Sequence, residues 1–379
     1  MLGWLFLIST VAAGDLSPVG HLVEDVKCLK DEKQSYALYL PSSYREDRKW
    51  PLLLLFDPGA RGARAAERFV EAAEKFGWIV AASNNSRNGP WETSWTAVSA
   101  MSGDVGSRFA TDEKRTYTGG MSGGARLAMQ IAIGSGKVAG VIASSAAFPD
   151  GRTKASVPFP VFGTAGTEDF NWIEMKEVDA GLKSAHQLKV FEGGHGWPPK
   201  ELANVALEWM ELAAMRDKLR PVDPTLIERI LARRKVALAA LDGREACAEA
   251  RAIGMDFAGL SGEAKEFQER AKALEKTKEF KEGMKLERKE MDHEYAVRRE
   301  LAQAESGLKN PETRMLSLSQ LQDLLVRMSK QAKADKDSLE RRVARRVSGS
   351  VRSSGAGDDP QYKKLLEDLG MGGRMGRNP

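Results

Sequence analysis

One glycine-rich stretch around a serine constrains the fold of this chain more than any other feature. Residues 118–124 read T-G-G-M-S-G-G, a G-x-S-x-G pattern centred on Ser122. A β-prone run, residues 115–118, leads in, and a run of small helix-forming residues, 125–133, leads out. A serine between a strand and a helix must take a strained backbone to expose its hydroxyl, and small neighbours let both elements close beneath it. The stretch therefore predicts a nucleophile elbow, with a glycine-rich turn lacking chemistry as the alternative.

Composition bounds the class of protein. The chain has 379 residues, which is long for one core and predicts two units. Hydrophobic residues make up 42% and charged residues 29%, as in a globular protein, and the net charge of +4 does not by itself argue for nucleic acid. Neither cysteine lies in a C-x-x-C motif, and none of the four histidines forms an H-x-x-x-H pair. We therefore predict no metal and no cofactor.

The N-terminus has the features of a targeting segment. Residues 2–13 are apolar but too few to span a bilayer, and the small residues 11–13 resemble a cleavage site. No Lys or Arg lies near Met1, so a buried or frayed segment is the alternative. We predict a signal peptide over residues 1–13 and a secreted or periplasmic protein, with no later run long enough for a membrane helix.

Strand and helix patterns alternate through the first half of the chain, which we assign to one domain over residues 19–215. The predicted strands are residues 23–29, 34–40, 52–56, 78–82, 115–118, 138–143, 159–163 and 188–191. The predicted helices are residues 65–76, 93–109, 125–133, 172–184 and 201–212. Alternation at this spacing predicts an α/β fold with a mostly parallel sheet covered on both faces.

The second half of the chain has the composition of an all-α region. Residues 216–347 are rich in Ala, Leu, Glu, Lys and Arg and show almost no strand signals. A long charged helical tract covers residues 263–308, Pro311 breaks it, and a second tract covers residues 316–347. The pattern predicts helical hairpins or a loose coiled coil, through which the chain could bind a protein partner or self-associate.

The C-terminal end has two further features. Residues 348–357 read as a Ser/Gly linker, which makes residues 348–379 a flexible tail with one short helix over residues 361–369. The basic run R-R-V-A-R-R at residues 341–346 could contact nucleic acid or anionic lipid, but a solvated helix face is the simpler interpretation. We predict no nucleic-acid partner.

The chain supplies partners that would activate the serine. A serine is a poor nucleophile until a base takes its proton and a carboxylate orients that base. Asp169 follows the strand at residues 159–163 and is our candidate acid, and Glu168 is the near alternative because a one-residue error exchanges the inward side chain. A helix N-cap is the competing role for Asp169. His195, flanked by glycines in the loop after the last strand, is our candidate base for Ser122.

A tetrahedral intermediate also needs hydrogen-bond donors for its oxyanion. The backbone N–H of Gly123 should supply one, and Gly59 or Ala60 the other, because Pro58 has no N–H. Side chains of nearby loops should line the pocket, although an ordinary surface loop is nearly as good an interpretation. These predicted substrate-binding residues are Asn84, Asn85, Arg87, Trp91 and Trp197.

At this point the chain resembles a known superfamily. Residues 33–212 are similar to single-domain α/β-hydrolases of the esterase type, namely polyhydroxybutyrate-depolymerase-like, feruloyl-esterase-like and dienelactone-hydrolase-like enzymes. The matching stretches are residues 36–41 (Y-A-L-Y-L-P), 119–124 (G-G-M-S-G-G), 166–169 (G-T-E-D) and 194–198 (G-H-G-W-P). The resemblance implies an eight-stranded sheet, a Ser122/Asp169/His195 triad and ester hydrolysis through an acyl-enzyme.

The resemblance also leaves questions open. Many relatives carry His-Gly-x-Gly where this chain has Asp-Pro-Gly-Ala at residues 57–60. No long insertion separates the strand at 138–143 from that at 159–163, so an open site for a small or polymer-linked ester is expected. Two other functions stay open, a serine peptidase of the same fold and a helical partner-binding or scaffold protein that carries a non-catalytic hydrolase domain.

Overall fold

The structure is a computed structural model, and it describes residues 18–151, 153, 155–354 and 359–371. The predicted signal peptide, residues 1–13, lies outside the described residues. In the part of the chain that is described, no helix is both long enough and apolar enough to cross a membrane.

An eight-stranded sheet forms the centre of the first half, as predicted. Its strands are β1 (Leu22–Cys28), β2 (Asp31–Tyr39), β3 (Trp50–Phe56), β4 (Ile79–Ser83), β5 (Thr111–Met121), β6 (Gly140–Ser144), β7 (Val161–Gly166) and β8 (His186–Phe191). They lie in the order β1-β2-β4-β3-β5-β6-β7-β8. Strand β2 runs antiparallel to β1 and β4, and the remaining neighbours are parallel.

Helices cover both faces of the sheet. They are α1 (Gly62–Glu67), α2 (Val70–Phe76), α3 (Trp91–Arg108), α4 (Gly123–Ser135), α5 (Trp172–Gly181) and α6 (Lys200–Arg216). Strand β3 is buried along its whole length because Leu52 and Leu54 face a core with α3, α4 and α5, while Leu53 and Leu55 face α1, α2 and α6. The central strands therefore read as continuous apolar runs.

The predicted helix at residues 65–76 is in fact two short helices. The N–H groups of Arg68 and Phe69 bond three residues back, to Ala65 and Ala66, which tightens the turn and redirects the chain. The break places the Phe69 ring fully inside the core. Burial of this aromatic ring favours the bend over one continuous helix.

Seven helices form the C-terminal region within the described residues. They are α7 (Pro224–Ala239), α8 (Gly243–Asp256), α9 (Ala264–Leu274), α10 (Lys278–Gly307), α11 (Arg314–Ala332), α12 (Leu339–Ser354) and α13 (Pro360–Asp368). One apolar cluster joins α7, α8 and α9 to the end of α6, and another joins α10 to α13. Both predicted long tracts are interrupted: Thr277 caps a new helix at Phe280 N–H, and residues 333–338 separate α11 from α12.

The prediction of a flexible linker at residues 348–357 is wrong for its first half. Helix α12 continues to Ser354, and Val347 and Val351 on it are buried in the second apolar cluster. Tyr362 and Leu366 of α13 pack into the same cluster, so the short helix predicted over residues 361–369 docks onto the helical region. The Ser and Gly content suggested a linker, but the buried valines at helical spacing decide the conformation.

A buried carboxylate joins the two halves of the molecule. Asp256 at the end of α8 accepts hydrogen bonds from Trp209 Nε1 of α6 at 2.6 Å and Gln187 Nε2 of β8 at 2.8 Å. It also pairs with Arg234 of α7 at 2.5 Å, and Arg234 bonds Glu249 as well. Three separate elements thus share one anionic side chain at the junction.

Removing that carboxylate should destabilise the protein strongly. We expect Asp256→Ala to lower the free energy of unfolding by about 3 kcal/mol or more, because Arg234 and two buried donors lose their partner. Urea denaturation measures the change. Glu263→Ala is the matched control, because its ion pair with Lys235 is exposed and should contribute less than about 1 kcal/mol. Equal effects of the two variants would contradict the role of Asp256.

Candidate active site

Ser122 lies at the sharp turn between β5 and α4, in a backbone conformation that residues other than glycine rarely adopt. Its φ is 55° and its ψ is −121°, and its N–H donates to Ser144 O at 2.8 Å. The flanking glycines are sterically required: a Cβ on Gly120 would collide with the backbone of Gly124, and a Cβ on Gly124 would collide with Phe56 O. The glycines of the motif are therefore explained by close backbone approach.

Asp169 and His195 meet at the same edge of the sheet. Asp169 lies in the turn after β7, residues 167–170, which we call the acid turn, and His195 lies in the loop after β8. The Nδ1 atom of His195 is 2.7 Å from Asp169 Oδ1, and the Asp169 side chain is completely buried. A bond at Nδ1 leaves Nε2 as the free ring nitrogen, which is the arrangement of an oriented base.

Neighbouring groups hold this pair in place. The Phe170 ring stacks on the His195 ring with centroids 3.8 Å apart. Ser145, at the end of β6, donates from its hydroxyl to Gly196 O at 3.0 Å, and Asn171 Nδ2 donates to Ser145 O at 2.7 Å. The end of β6 therefore links the Ser122 turn, the acid turn and the His195 loop.

Glu168, the alternative acid, points elsewhere. Both of its carboxylate oxygens accept from Arg345 Nη1 of α12, at 2.7 and 2.8 Å. Geometry therefore favours Asp169 as the partner of His195. In the described structure the Ser122 hydroxyl has no hydrogen bond to the His195 ring, a contact that often tightens only in a substrate complex.

The loop after β3 does not offer the predicted oxyanion donors. Gly59 N–H donates to Asp57 Oδ1 at 2.8 Å, and Ala60 N–H donates to Asp57 O at 3.2 Å. Asp57 is buried and also accepts from Arg61 Nε at 2.8 Å. Because a backbone N–H has one hydrogen to give, the prediction for Gly59 and Ala60 does not hold in this structure.

Two of the predicted pocket residues are structural. Asn84 Nδ2 donates to Glu24 O at 2.9 Å. Asn85 Oδ1 accepts from Ser35 N–H at 2.8 Å, and its Nδ2 donates to Lys33 O at 3.1 Å. Both asparagines therefore fasten the loop after β4 to β1 and β2. The prediction that these amides line the pocket fails because the sequence does not show which neighbours a polar loop faces.

Arg87 and Trp91 do reach the candidate site. They line a cleft of about 170 Å³ together with Asn88, Gly123 and Arg126. Trp91 and Trp95 stack with centroids 6.5 Å apart and are 46% and 38% exposed, which makes a flat apolar platform beside the cleft. A larger cavity of about 580 Å³ lies between helices of the C-terminal region and includes none of these residues.

Trp197 has a different role from the one predicted. Its Nε1–H donates to Asp57 Oδ2 at 2.7 Å, and its ring meets Phe69 edge-on. It ties the His195 loop to the loop after β3 and does not line the cleft.

Several residues at this site were not found from the sequence. Ser145, Asn171, Asp57 and Asn88 carry no motif that marks them, although Asp57 and Ser145 directly follow a strand, Asn171 follows the acid turn, and Asn88 lies in the loop after β4. The position of a polar residue after the end of a predicted strand is the sequence feature that could have indicated them. Among the described residues, no cluster of three or more His, Cys, Asp or Glu could hold a metal.

The sheet order and the serine turn after β5 define an α/β-hydrolase fold followed by an all-α region. No family model matches the sequence, and no curated protein matches it. Est1E from Butyrivibrio proteoclasticus is similar in structure, with 13% identity and a TM-score of 0.40 over 51% of this chain and 98% of that chain. A ferulic acid esterase is also similar in structure, with 17% identity and a TM-score of 0.41 over 51% of this chain and 97% of that chain.

A third solved structure extends the comparison. An S-formylglutathione hydrolase from Agrobacterium tumefaciens has 15% identity and a TM-score of 0.37, over 52% of this chain and 94% of that chain. At such identities the likeness concerns the fold alone.

The anchoring role of Trp197 can be tested against a substrate-binding role. We expect Trp197→Phe to lower the free energy of unfolding by about 1–2 kcal/mol, because a buried Asp57 oxygen loses a donor. Trp91→Phe, on the exposed platform, should cost less than about 0.5 kcal/mol. Thermal or urea unfolding of both variants gives the measurement, and a Trp197→Phe protein as stable as wild type would refute the anchor.

Proposed function

We propose that this chain is a serine hydrolase that cleaves carboxylic esters through an acyl-enzyme. Ser122 is the nucleophile, His195 the general base and Asp169 the acid that orients the base. The observation that carries the proposal is the 2.7 Å contact between His195 Nδ1 and a fully buried Asp169, at the sheet edge where Ser122 has its strained backbone. The esterase identity of similar structures is consistent with it but adds no argument about residues.

The reaction follows from the assigned roles. His195 Nε2 takes the Ser122 hydroxyl proton while Oγ forms a bond to the ester carbonyl carbon, and Nδ1–H donates to Asp169 throughout. The tetrahedral intermediate collapses as the C–O bond to the alcohol breaks, and the imidazolium returns its proton to that leaving alcohol. Water then gives a proton to His195 Nε2 as its oxygen bonds to the acyl carbon, the bond from that carbon to Ser122 Oγ breaks, and the imidazolium returns the proton to Oγ as the acid leaves.

Asn88 is our candidate for the second oxyanion donor. A Cβ on Gly123 would collide with the Asn88 side-chain amide oxygen, so this amide fills the space beside the residue that follows the nucleophile. The Asn88 backbone N–H donates to Pro58 O at 2.9 Å, which ties it to the loop after β3. Within the described structure the Asn88 amide has no hydrogen-bond partner, and amide O and N positions are interchangeable by a flip. Gly123 N–H and Asn88 Nδ2–H would together bind the oxyanion.

The substrate proposal rests on the cleft. Trp91, its partner Trp95 and the exposed Arg87 form an open surface beside Gly123. An open aromatic platform suits a small ester or one linked to a polymer. Location outside the cytoplasm stays a prediction from residues 1–13.

Covalent labelling tests the nucleophile. A fluorophosphonate probe should form a stable adduct on Ser122, found by peptide mapping, and the His195→Ala protein should not label. Ser122→Ala should lower hydrolysis of short p-nitrophenyl esters by about 10³-fold or more. Ser102→Ala is the matched control, because that hydroxyl bonds only the backbone of its own helix. A folded protein that neither labels nor hydrolyses these esters would refute the proposal and favour a partner-binding role.

Replacement of Asn88 tests the oxyanion assignment. We expect Asn88→Ala to lower kcat for these esters by about 10²-fold or more while KM changes little, because the donor acts on charge that develops in the transition state. Asn88→Asp should lose at least as much, since a carboxylate repels the oxyanion. Asn85→Ala, in the same loop but bonded to β2, should keep its kcat even if it is less stable. An unchanged kcat in Asn88→Ala would leave Gly123 without this partner and exclude the assignment.

A further inference from the structure

The arginine-rich helix face at residues 341–346 does not lie in solvent. Arg346 is completely buried, and its Nη1 donates to Thr167 O of the acid turn at 2.6 Å. Arg345 Nη1 contacts both oxygens of Glu168, and Arg341 Nη2 lies 3.6 Å from the same carboxylate. The interpretation of this run as a solvated face is therefore wrong.

A second helix contacts the same turn. Arg298 of α10 donates from Nη2 to Phe170 O at 2.7 Å. Guanidinium groups from two helices thus bind residues 167, 168 and 170, which flank Asp169 on both sides. These are the carbonyls and the carboxylate of the acid turn that face the helical region.

The arginines themselves are fixed by glutamates of α10. Arg346 Nε donates to Glu294 Oε2 at 2.6 Å and its Nη2 to Glu290 Oε1 at 2.6 Å, while its guanidinium covers the Trp172 ring at 4.3 Å. Arg298 bonds Glu294 Oε1 at 2.7 Å. Such a network cannot shift easily, since any movement would leave a buried charge without its partner.

The charge state of one glutamate agrees with this packing. Burial acts to raise the pKa of Glu290, but hydrogen bonds from Arg342 and Arg346 outweigh it and hold the pKa below its ordinary value. Glu290 therefore stays ionised at neutral pH and keeps Arg346 in place.

We propose that the C-terminal helical region positions the acid turn, through Arg345, Arg346 and Arg298, so that Asp169 stays in hydrogen-bond contact with His195. This rests on the proposed function, because Asp169 is the orienting acid there. On its other side the turn is bonded mainly to the loop after β8: Glu168 N–H donates to Gly193 O at 2.8 Å, and the Thr167 hydroxyl donates to Glu192 Oε2 at 3.1 Å. Catalysis requires sub-ångström placement, which a short turn gains when neighbouring elements hold it.

The pair formed by Arg345 and Glu168 offers the cleanest test, because both side chains are partly exposed and their loss should not unfold the protein. Glu168→Gln, Arg345→Met and the double variant would be made in the full chain. Arg314→Met is the matched control, because the ion pair of Arg314 with Asp359 has similar exposure, 32% and 15% against 34% and 19%, and does not contact the acid turn.

Two readouts are measured on every variant. Hydrogen exchange in peptides that span residues 164–172 should speed up by about tenfold in both single variants and stay unchanged in Arg314→Met. For a p-nitrophenyl ester, kcat should fall by about 3- to 10-fold with KM unchanged, and the double variant should lose no more than either single one. Arg345→Lys, which keeps the charge, should recover part of kcat.

The outcomes separate this proposal from the proposed function. Unchanged exchange in the acid turn, or a loss of kcat no greater than in Arg314→Met, would overturn the positioning role. A wild-type protein without esterase activity and without a Ser122 adduct would refute the proposed function. The exchange measurement would then still decide whether the helical region orders the acid turn.

Discussion

The close approach of three backbone segments around Ser122 is the constraint on which the rest of the structure depends. Strand β5 must turn into α4 within one residue, and Gly124 must pass against the carbonyl of Phe56 at the end of β3. A positive φ at a serine costs on the order of 1–3 kcal/mol. Burial of β3 on both faces, between two helical layers, offsets that cost and fixes the strand ends among which the site forms.

Around this turn, polar side chains join loops that are far apart in sequence. Asp57 binds its own loop, Arg61 and the Trp197 indole, and Ser145 connects the His195 loop with Asn171. Asp57 occupies the N–H groups of Gly59 and Ala60, and Asn84 and Asn85 bond instead to β1 and β2. The exposed Asn88 amide lies beside Gly123, and in the proposed mechanism it supplies the second oxyanion donor.

The helical half adds a second network of a different kind. Arg346 is buried against the acid turn and pairs with Glu290 and Glu294 of α10, while the partly exposed Arg345 pairs with Glu168 of the turn itself. Pairs of this type give little net stability, since desolvation opposes attraction, but they fix relative positions. The acid turn is thus a second place, besides the junction at Asp256, where the charged helical region contacts the first half of the chain.

The sequence by itself determined the features that depend on local pattern. The G-x-S-x-G motif, the apolar strands and the alternation of strand and helix predicted the sheet and the turn that carries Ser122, and the order of Asp169 and His195 on loops after strands predicted their meeting. Spacing along one chain was sufficient here, because parallel strands bring their carboxyl ends to one edge.

Only the tertiary structure decided what polar and charged side chains contact. The run at residues 341–346 and the serines at 348–354 look solvated in sequence, yet Arg346 and Val351 are buried. Likewise Glu168 and Asp169 are adjacent carboxylates, and only the tertiary structure shows that Glu168 contacts Arg345 while Asp169 contacts His195. A charge is buried when a partner from a distant element compensates its lost hydration, and such partners are set by packing rather than by neighbours in the chain.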